Sequence, residues 1–145
     1  MSISKRIVLL GPDGSGKTRI ANYIEGLNVE KSFSQEVFYR SKTIEIPAMY
    51  LENRWLTKTV ITIVQNQGKA LWLLLDGRDP RQVYNEGFSS VFNVPLIGVI
   101  THLDSFDGMP EERKKRFDLC KQILLRAGVK TVIDGTDLNN LSQYK

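Results

Sequence analysis

The chain has 145 residues, 20 of them Lys or Arg against 16 Asp or Glu, for a formal net charge of +4 and a pI near 9.2. That length suits one domain, 1–145, and a composition 41% hydrophobic and 25% charged argues against a disordered tail, a collagen-like fibre or a disulfide scaffold. A single cysteine, Cys120, excludes an internal disulfide, and a single histidine, His102, excludes a paired-histidine metal site. No apolar run approaches the roughly 20 residues of a membrane span.

The expected setting is therefore a reducing cytoplasm, with no membrane partner. Basic residues are spread along the chain, and the densest run, Arg113 to Arg116, directly follows two acids, which argues against nucleic acid as a partner.

In chain order, the apolar run Ile7 to Leu10 predicts a strand buried on both faces. Directly after it comes Gly11-Pro12-Asp13-Gly14-Ser15-Gly16-Lys17-Thr18, which matches G-x-x-x-x-G-K-[ST] and opens a helical stretch, Arg19 to Glu25. Glycines let the backbone wrap so that its N–H groups meet phosphate oxygens, and the helix N-terminus adds the positive end of its dipole. In this reading Asp13, Gly14, Ser15 and Gly16 form the phosphate loop. Lys17 neutralises the β- and γ-phosphates as the catalytic cation, and the Thr18 hydroxyl meets Mg²⁺.

Val37, Phe38 and Tyr39, then Arg40 and Ser41, then Thr43, Ile44 and Ile46 read as two strands joined by a tight turn. Leu56, Val60, Ile63 and Val64 form a helical stripe, and Leu71 to Leu75 and Leu96 to Ile100 are further buried strands. Pro110, Glu111 and Glu112 suit the first turn of a helix whose stripe is Phe117, Cys120, Leu124 and Ala127, with Gly128 past its end. Val129 to Ile133 predicts the last strand. After Asp137 only a short helix remains, leaving one flank of the sheet thinly covered and open to weak self-association or docking. Strands alternating with helices make this an α/β layer fold.

Over Lys5 to about Leu141 the chain resembles the EutP/PduV family, small Ras-like P-loop proteins of ethanolamine- and propanediol-utilisation microcompartments. The resemblance rests on Gly11 to Thr18 and on Pro47 with Tyr50-Leu51-Glu52-Asn53-Arg54. It also rests on the strand Pro95 to Thr101 and on Asp104. It implies a three-layer P-loop NTPase fold with a mostly parallel sheet and one antiparallel hairpin strand. It also implies Mg²⁺ with GTP or GDP, and contacts with microcompartment shell or enzyme proteins.

Several family positions differ. Ser34 stands where the family has Thr and keeps a hydroxyl for Mg²⁺; Glu45 replaces the metal-side Asp, Ala48 a Gly and Met49 a Glu. Glu45 still offers oxygen to the metal, whereas Met49 cannot orient an attacking water, which predicts very slow hydrolysis. The base-reading motif is altered to Thr101-His102-Leu103-Asp104. Asp104 can still accept from guanine N1–H and N2–H, and His102 stands where a lysine stem would cover the ring. Asp134-Gly135-Thr136 falls where a further base loop would lie, as a weak signal.

Asp76, ending an apolar strand, competes with Glu45 for the metal, although an Asp before Gly77 is also an ordinary turn former. Trp55 and Trp72 read as packing residues, and Arg113 to Arg116 as a solvated helix face. Arg78, Asp79 and Arg81 follow a strand on the side where open α/β sheets bind ligands. Three functions stay open: a guanine-nucleotide switch with weak hydrolysis, an ATP-dependent phosphotransferase of acetate-kinase type, and a degenerate, shell-associated binding module.

Overall fold

The computed structural model describes residues 5–30 and 35–145. Strand β1 (Arg6–Leu10) leads through the glycine-rich loop into helix α1 (Lys17–Glu25). A hairpin of β2 (Phe38–Tyr39) and β3 (Thr43–Ile46) follows, and then a short helix α2 (Met49–Glu52). A 3-10 turn at Arg54–Leu56 enters α3 (Thr57–Gln67), which returns as β4 (Gly68–Asp76). A further 3-10 turn at Phe88–Val91 precedes β5 (Leu96–Thr101), then come α4 (Pro110–Arg126) and β6 (Thr131–Asp134).

The sheet order is β2-β3-β1-β4-β5-β6. Among the described residues only the β2–β3 pair is antiparallel; β3, β1, β4, β5 and β6 run parallel. The continuous apolar runs in β1 and β4 are explained by burial on both faces. Val8, Leu10, Leu71, Leu73 and Leu75 pack with Val60, Ile63 and Val64 of α3 and Cys120 and Leu124 of α4. The alternate residues Ile7, Leu9, Trp72 and Leu74 pack with Ile20, Ala21 and Ile24 of α1. This side-chain alternation, set by the two-residue strand period, produces three layers with β1 near the middle.

The C-terminus of α4 closes as the position of Gly128 leads one to expect, with Gly128 N donating to Leu125 O at 3.0 Å and Val129 N to Leu124 O at 3.1 Å. Past β6 the structure has a single 3-10 turn, Leu138–Leu141, capped by Asp137. Its Leu141 is fully buried against the α1 side of the sheet, so this turn supplies part of the flank's cover.

Candidate functional site

The glycine-rich loop owes its shape to three glycines. Gly14 (φ 76°) and Gly16 (φ 97°) adopt left-handed conformations that cost most residues about 1–2 kcal/mol. Gly11 is required for space: a Cβ there would lie 2.7 Å from Ser15 Oγ and 2.9 Å from Leu74 Cβ. Ser15, fully buried, ties the turn by donating from Oγ to the Pro12 carbonyl at 2.6 Å. Lys17 begins α1 and folds back over the loop, its Nζ donating to the Gly11 carbonyl and lying 3.5 Å from that of Pro12. Asp13 is exposed at the loop tip.

On the β3 side, Thr18 Oγ1 donates to Glu45 Oε1 at 2.7 Å. Glu45 is completely buried, and its Oε2 accepts no hydrogen bond. Arg40 Nη1 stands 3.9 Å from that oxygen. A threonine hydroxyl and a buried carboxylate with an unsatisfied oxygen form a hard-oxygen donor set that suits Mg²⁺ shared with phosphate. Among the described residues no cluster of three or more His, Cys, Asp or Glu could hold a metal. Ser34, the other metal-side candidate, lies outside the described residues.

On the β5 side, Thr101 Oγ1 donates to the Ser15 carbonyl at 2.6 Å. His102 is the one non-glycine residue with a positive φ among those described, at 59°, and its Nε2 lies 2.9 Å from the Gly14 carbonyl. A carbonyl only accepts, so Nε2 carries the proton. His102 thus braces the loop itself, a role the expectation of ring cover did not include. Asp104 is exposed on the 3-10 turn Leu103–Phe106. The Asp134-Gly135-Thr136 segment joins the same region more firmly than its sequence suggests: Thr136 Oγ1 accepts from Leu103 N at 3.0 Å.

Asp76 and Glu45 both lie on strands that flank β1. Strand β1 sits between two parallel partners, so position in the sheet does not choose between the two carboxylates. Their surroundings separate them. Arg78 grips Asp76 with Nη2 at 2.7 Å, Nε at 3.0 Å and its backbone N at 2.8 Å. Burial opposes the Asp76 charge, but the hydrogen bonds from the Arg78 side chain and backbone outweigh it and hold the carboxyl below its usual range. Arg78 therefore holds the carboxylate that was the alternative metal ligand, and its own side chain is 48% exposed.

Beyond Glu45, Ala48 is buried and the chain turns straight into α2, which leaves Met49 half-buried. Beside this segment opens a cleft of about 340 Å³ lined by Pro12, Asp13, Ala48, Glu52, Arg81 and Asn85 among others.

Sequence reasoning did not single out Tyr84, which is fully buried with its hydroxyl 2.7 Å from the Leu74 carbonyl and 3.1 Å from that of Leu10. It buttresses the strand ends beneath the loop. Two expectations are corrected. Trp55 is 82% exposed and does not pack, unlike Trp72 at 1%. Arg113 and Arg116 are not merely solvated: Arg113 bonds Asp107 and Asp134, and Arg116 reaches Glu112 and the Arg78 carbonyl.

The strand order, the single antiparallel edge pair and the loop between β1 and α1 define a Ras-like P-loop fold. Similar solved structures include the small COPII coat GTPase SAR1 from Encephalitozoon cuniculi in complex with GDP. It is 12% identical, with TM-score 0.58 over 99% of this chain and 77% of that one. Toc33 from Arabidopsis thaliana in complex with GDP and Mg²⁺ is 15% identical, with TM-score 0.60 over 92% and 70%. The chain belongs to the PduV-EutP family, ethanolamine utilisation and propanediol utilisation, whose model matches residues 4–143. The propanediol utilization protein PduV of Citrobacter freundii is 29% identical over 136 residues, 94% of this chain and 86% of that protein.

Proposed function

We propose that this protein is a single-domain guanine-nucleotide switch of an ethanolamine- or propanediol-utilisation microcompartment, acting in the cytoplasm with weak intrinsic hydrolysis. The observation that carries the nucleotide reading is the loop itself, whose left-handed Gly14 and Gly16 and closely packed Gly11 shape the backbone into an anion cradle at the start of α1. Backbone N–H groups of Asp13, Gly14, Ser15 and Gly16 would hold the phosphates, and Lys17 would turn from the Gly11 carbonyl toward them. Thr18 and Glu45, with Ser34, are the proposed metal ligands. Mg²⁺, when bound, supplies charge neutralisation at the phosphates.

Asp104 is the proposed guanine reader, beside Thr101 and His102, which hold the loop. Slow turnover follows from Ala48 and Met49: no polar side chain at residue 49 can orient a water, and phosphoryl transfer depends on such positioning. The microcompartment setting rests on the family's description and on the name of the Citrobacter freundii relative. A second reading, an ATP-dependent phosphotransferase, draws support from the cleft beside Asp13, which has room for a small acceptor.

The test is calorimetric titration of GTP, GDP, ATP and ADP with Mg²⁺ on the wild type, Lys17→Ala and Asp104→Asn. Guanine-selective binding lost in Lys17→Ala, with selectivity lost in Asp104→Asn, is expected. A preference for ATP transfers the reading to phosphotransfer, and binding of none of the four leaves a docking module.

A further inference from the structure

The two oxygens of Glu45 are in different situations. Oε1 accepts from Thr18, while Oε2 is buried without a hydrogen bond and faces the Arg40 guanidinium at 3.9 Å. That separation is beyond hydrogen-bonding range but not beyond charge pairing. With side chains only 8% and 1% exposed, the pair is weakly screened by solvent and salt. Arg40 is held off by bonds of its own. Nη1 and Nη2 both donate to Asn22 Oδ1 at 2.9 Å, its backbone N donates to Thr43 O at 2.9 Å, and its guanidinium stands 5.4 Å from the Phe38 ring centre.

We propose that Arg40 is a resident counter-cation for Glu45 that lowers the Mg²⁺ affinity of the Thr18–Glu45 pair. The inference rests on the reading of Thr18 and Glu45 as the metal side of a nucleotide site. A buried carboxylate with no counter-charge is strongly destabilising, and an arriving divalent cation would relieve that cost in full. Here the guanidinium already relieves it, so the cation gains less on binding and meets a like charge behind the carboxylate. Asn22 extends the arrangement: besides holding Arg40, it donates from Nδ2 to Val29 O at 3.2 Å and accepts from Val29 N at 3.3 Å. One amide thus holds both the Arg40 guanidinium and the chain leaving α1.

The experiment is a Mg²⁺ titration of binding of a fluorescent GDP derivative to wild type, Arg40→Gln and Arg40→Lys, with thermal melting of each at every Mg²⁺ concentration. Arg40→Gln is expected to lower the Mg²⁺ midpoint about tenfold and to gain more thermal stability from Mg²⁺ than wild type does. Arg40→Lys, which keeps the charge, should stay within about threefold of wild type. An unchanged midpoint in Arg40→Gln that still binds GDP overturns the proposal alone. Should Arg40→Gln be unfolded without Mg²⁺, recovery of its circular dichroism in saturating Mg²⁺ supports the proposal. Failure to recover overturns it, since the cation must be able to replace the guanidinium. Wild type that binds no GDP at any Mg²⁺ concentration overturns the nucleotide reading itself, a result obtained before any variant is compared.

Discussion

The Thr101 hydroxyl donates to the Ser15 carbonyl at 2.6 Å, fastening the end of β5 to the glycine-rich loop across 86 residues of sequence. Both residues are buried, so water does not compete for the bond. Thr101→Val keeps the shape and removes the donor, leaving the Ser15 carbonyl unsatisfied at a cost of about 1–3 kcal/mol. The expected outcome is a lower urea midpoint together with weaker GDP binding by calorimetry. Loss of stability with unchanged affinity would show that the bond does not shape the loop.

Gly11 and Gly14 should respond differently to the same change. A methyl at Gly11 runs into Ser15 and Leu74, whereas one at Gly14 meets nothing within 4 Å but is strained by its φ of 76°. Gly14→Ala is expected to cost about 1–2 kcal/mol, the ordinary left-handed penalty. Gly11→Ala should cost more, because the strand end must move. Thermal melting of the two variants side by side decides it; equal losses would contradict the packing around Gly11.

Acid stability should depend on Asp76. Its folded pKa lies below the unfolded one, so its contribution is complete above the ordinary aspartate range near pH 4 and is lost as pH falls through the lowered folded value. Asp76→Asn is expected to cost about 1 kcal/mol near neutral pH, a figure kept small by the solvent around Arg78. At a pH below both values the variant and wild type should converge. Parallel denaturation curves across that range, with a constant gap, would sink the assignment.

The two tryptophans offer an optical check. Trp55, 82% exposed, should be readily quenched by acrylamide, and Trp72, 1% exposed, should be protected. Trp55→Phe is expected to abolish the quenchable emission while changing stability by less than about 0.5 kcal/mol. A larger loss of stability would mean that the indole packs after all.

The cysteine gives a chemical probe of the core on the other face of the sheet, opposite that of Trp72. Burial pushes the Cys120 thiol up to about 11, with the Asp76 charge adding to the effect. The thiol therefore stays protonated at neutral pH and should react with a disulfide reagent only as fast as the protein opens. Rapid modification of the native chain at neutral pH would contradict the packing of α4 on the sheet.

Local pattern carried the architecture and the loop. Runs such as Ile7 to Leu10 and Leu71 to Leu75 have only one way to hide both faces, between helices on a parallel sheet, and Gly11 to Thr18 has its chemistry written in consecutive residues. Charged partnerships were settled only by the fold. Arg40 is a hairpin-turn residue in sequence, and it meets Glu45 because the antiparallel β2–β3 pairing sets Phe38 opposite Glu45 while Asn22 of α1 holds the guanidinium on that side. Asp76 in sequence is open between a metal ligand competing with Glu45 and an ordinary turn former, and the fold gives it to Arg78; Trp55 reads as packing, and the turn before α3 places it outward. Hydrophobic periodicity repeats over a few residues and survives in one dimension. Ion pairs and hydrogen bonds act over 3–4 Å and depend on side-chain placement in three dimensions, whether the partners are two residues apart, as Asp76 and Arg78 are, or 86 apart, as Ser15 and Thr101 are.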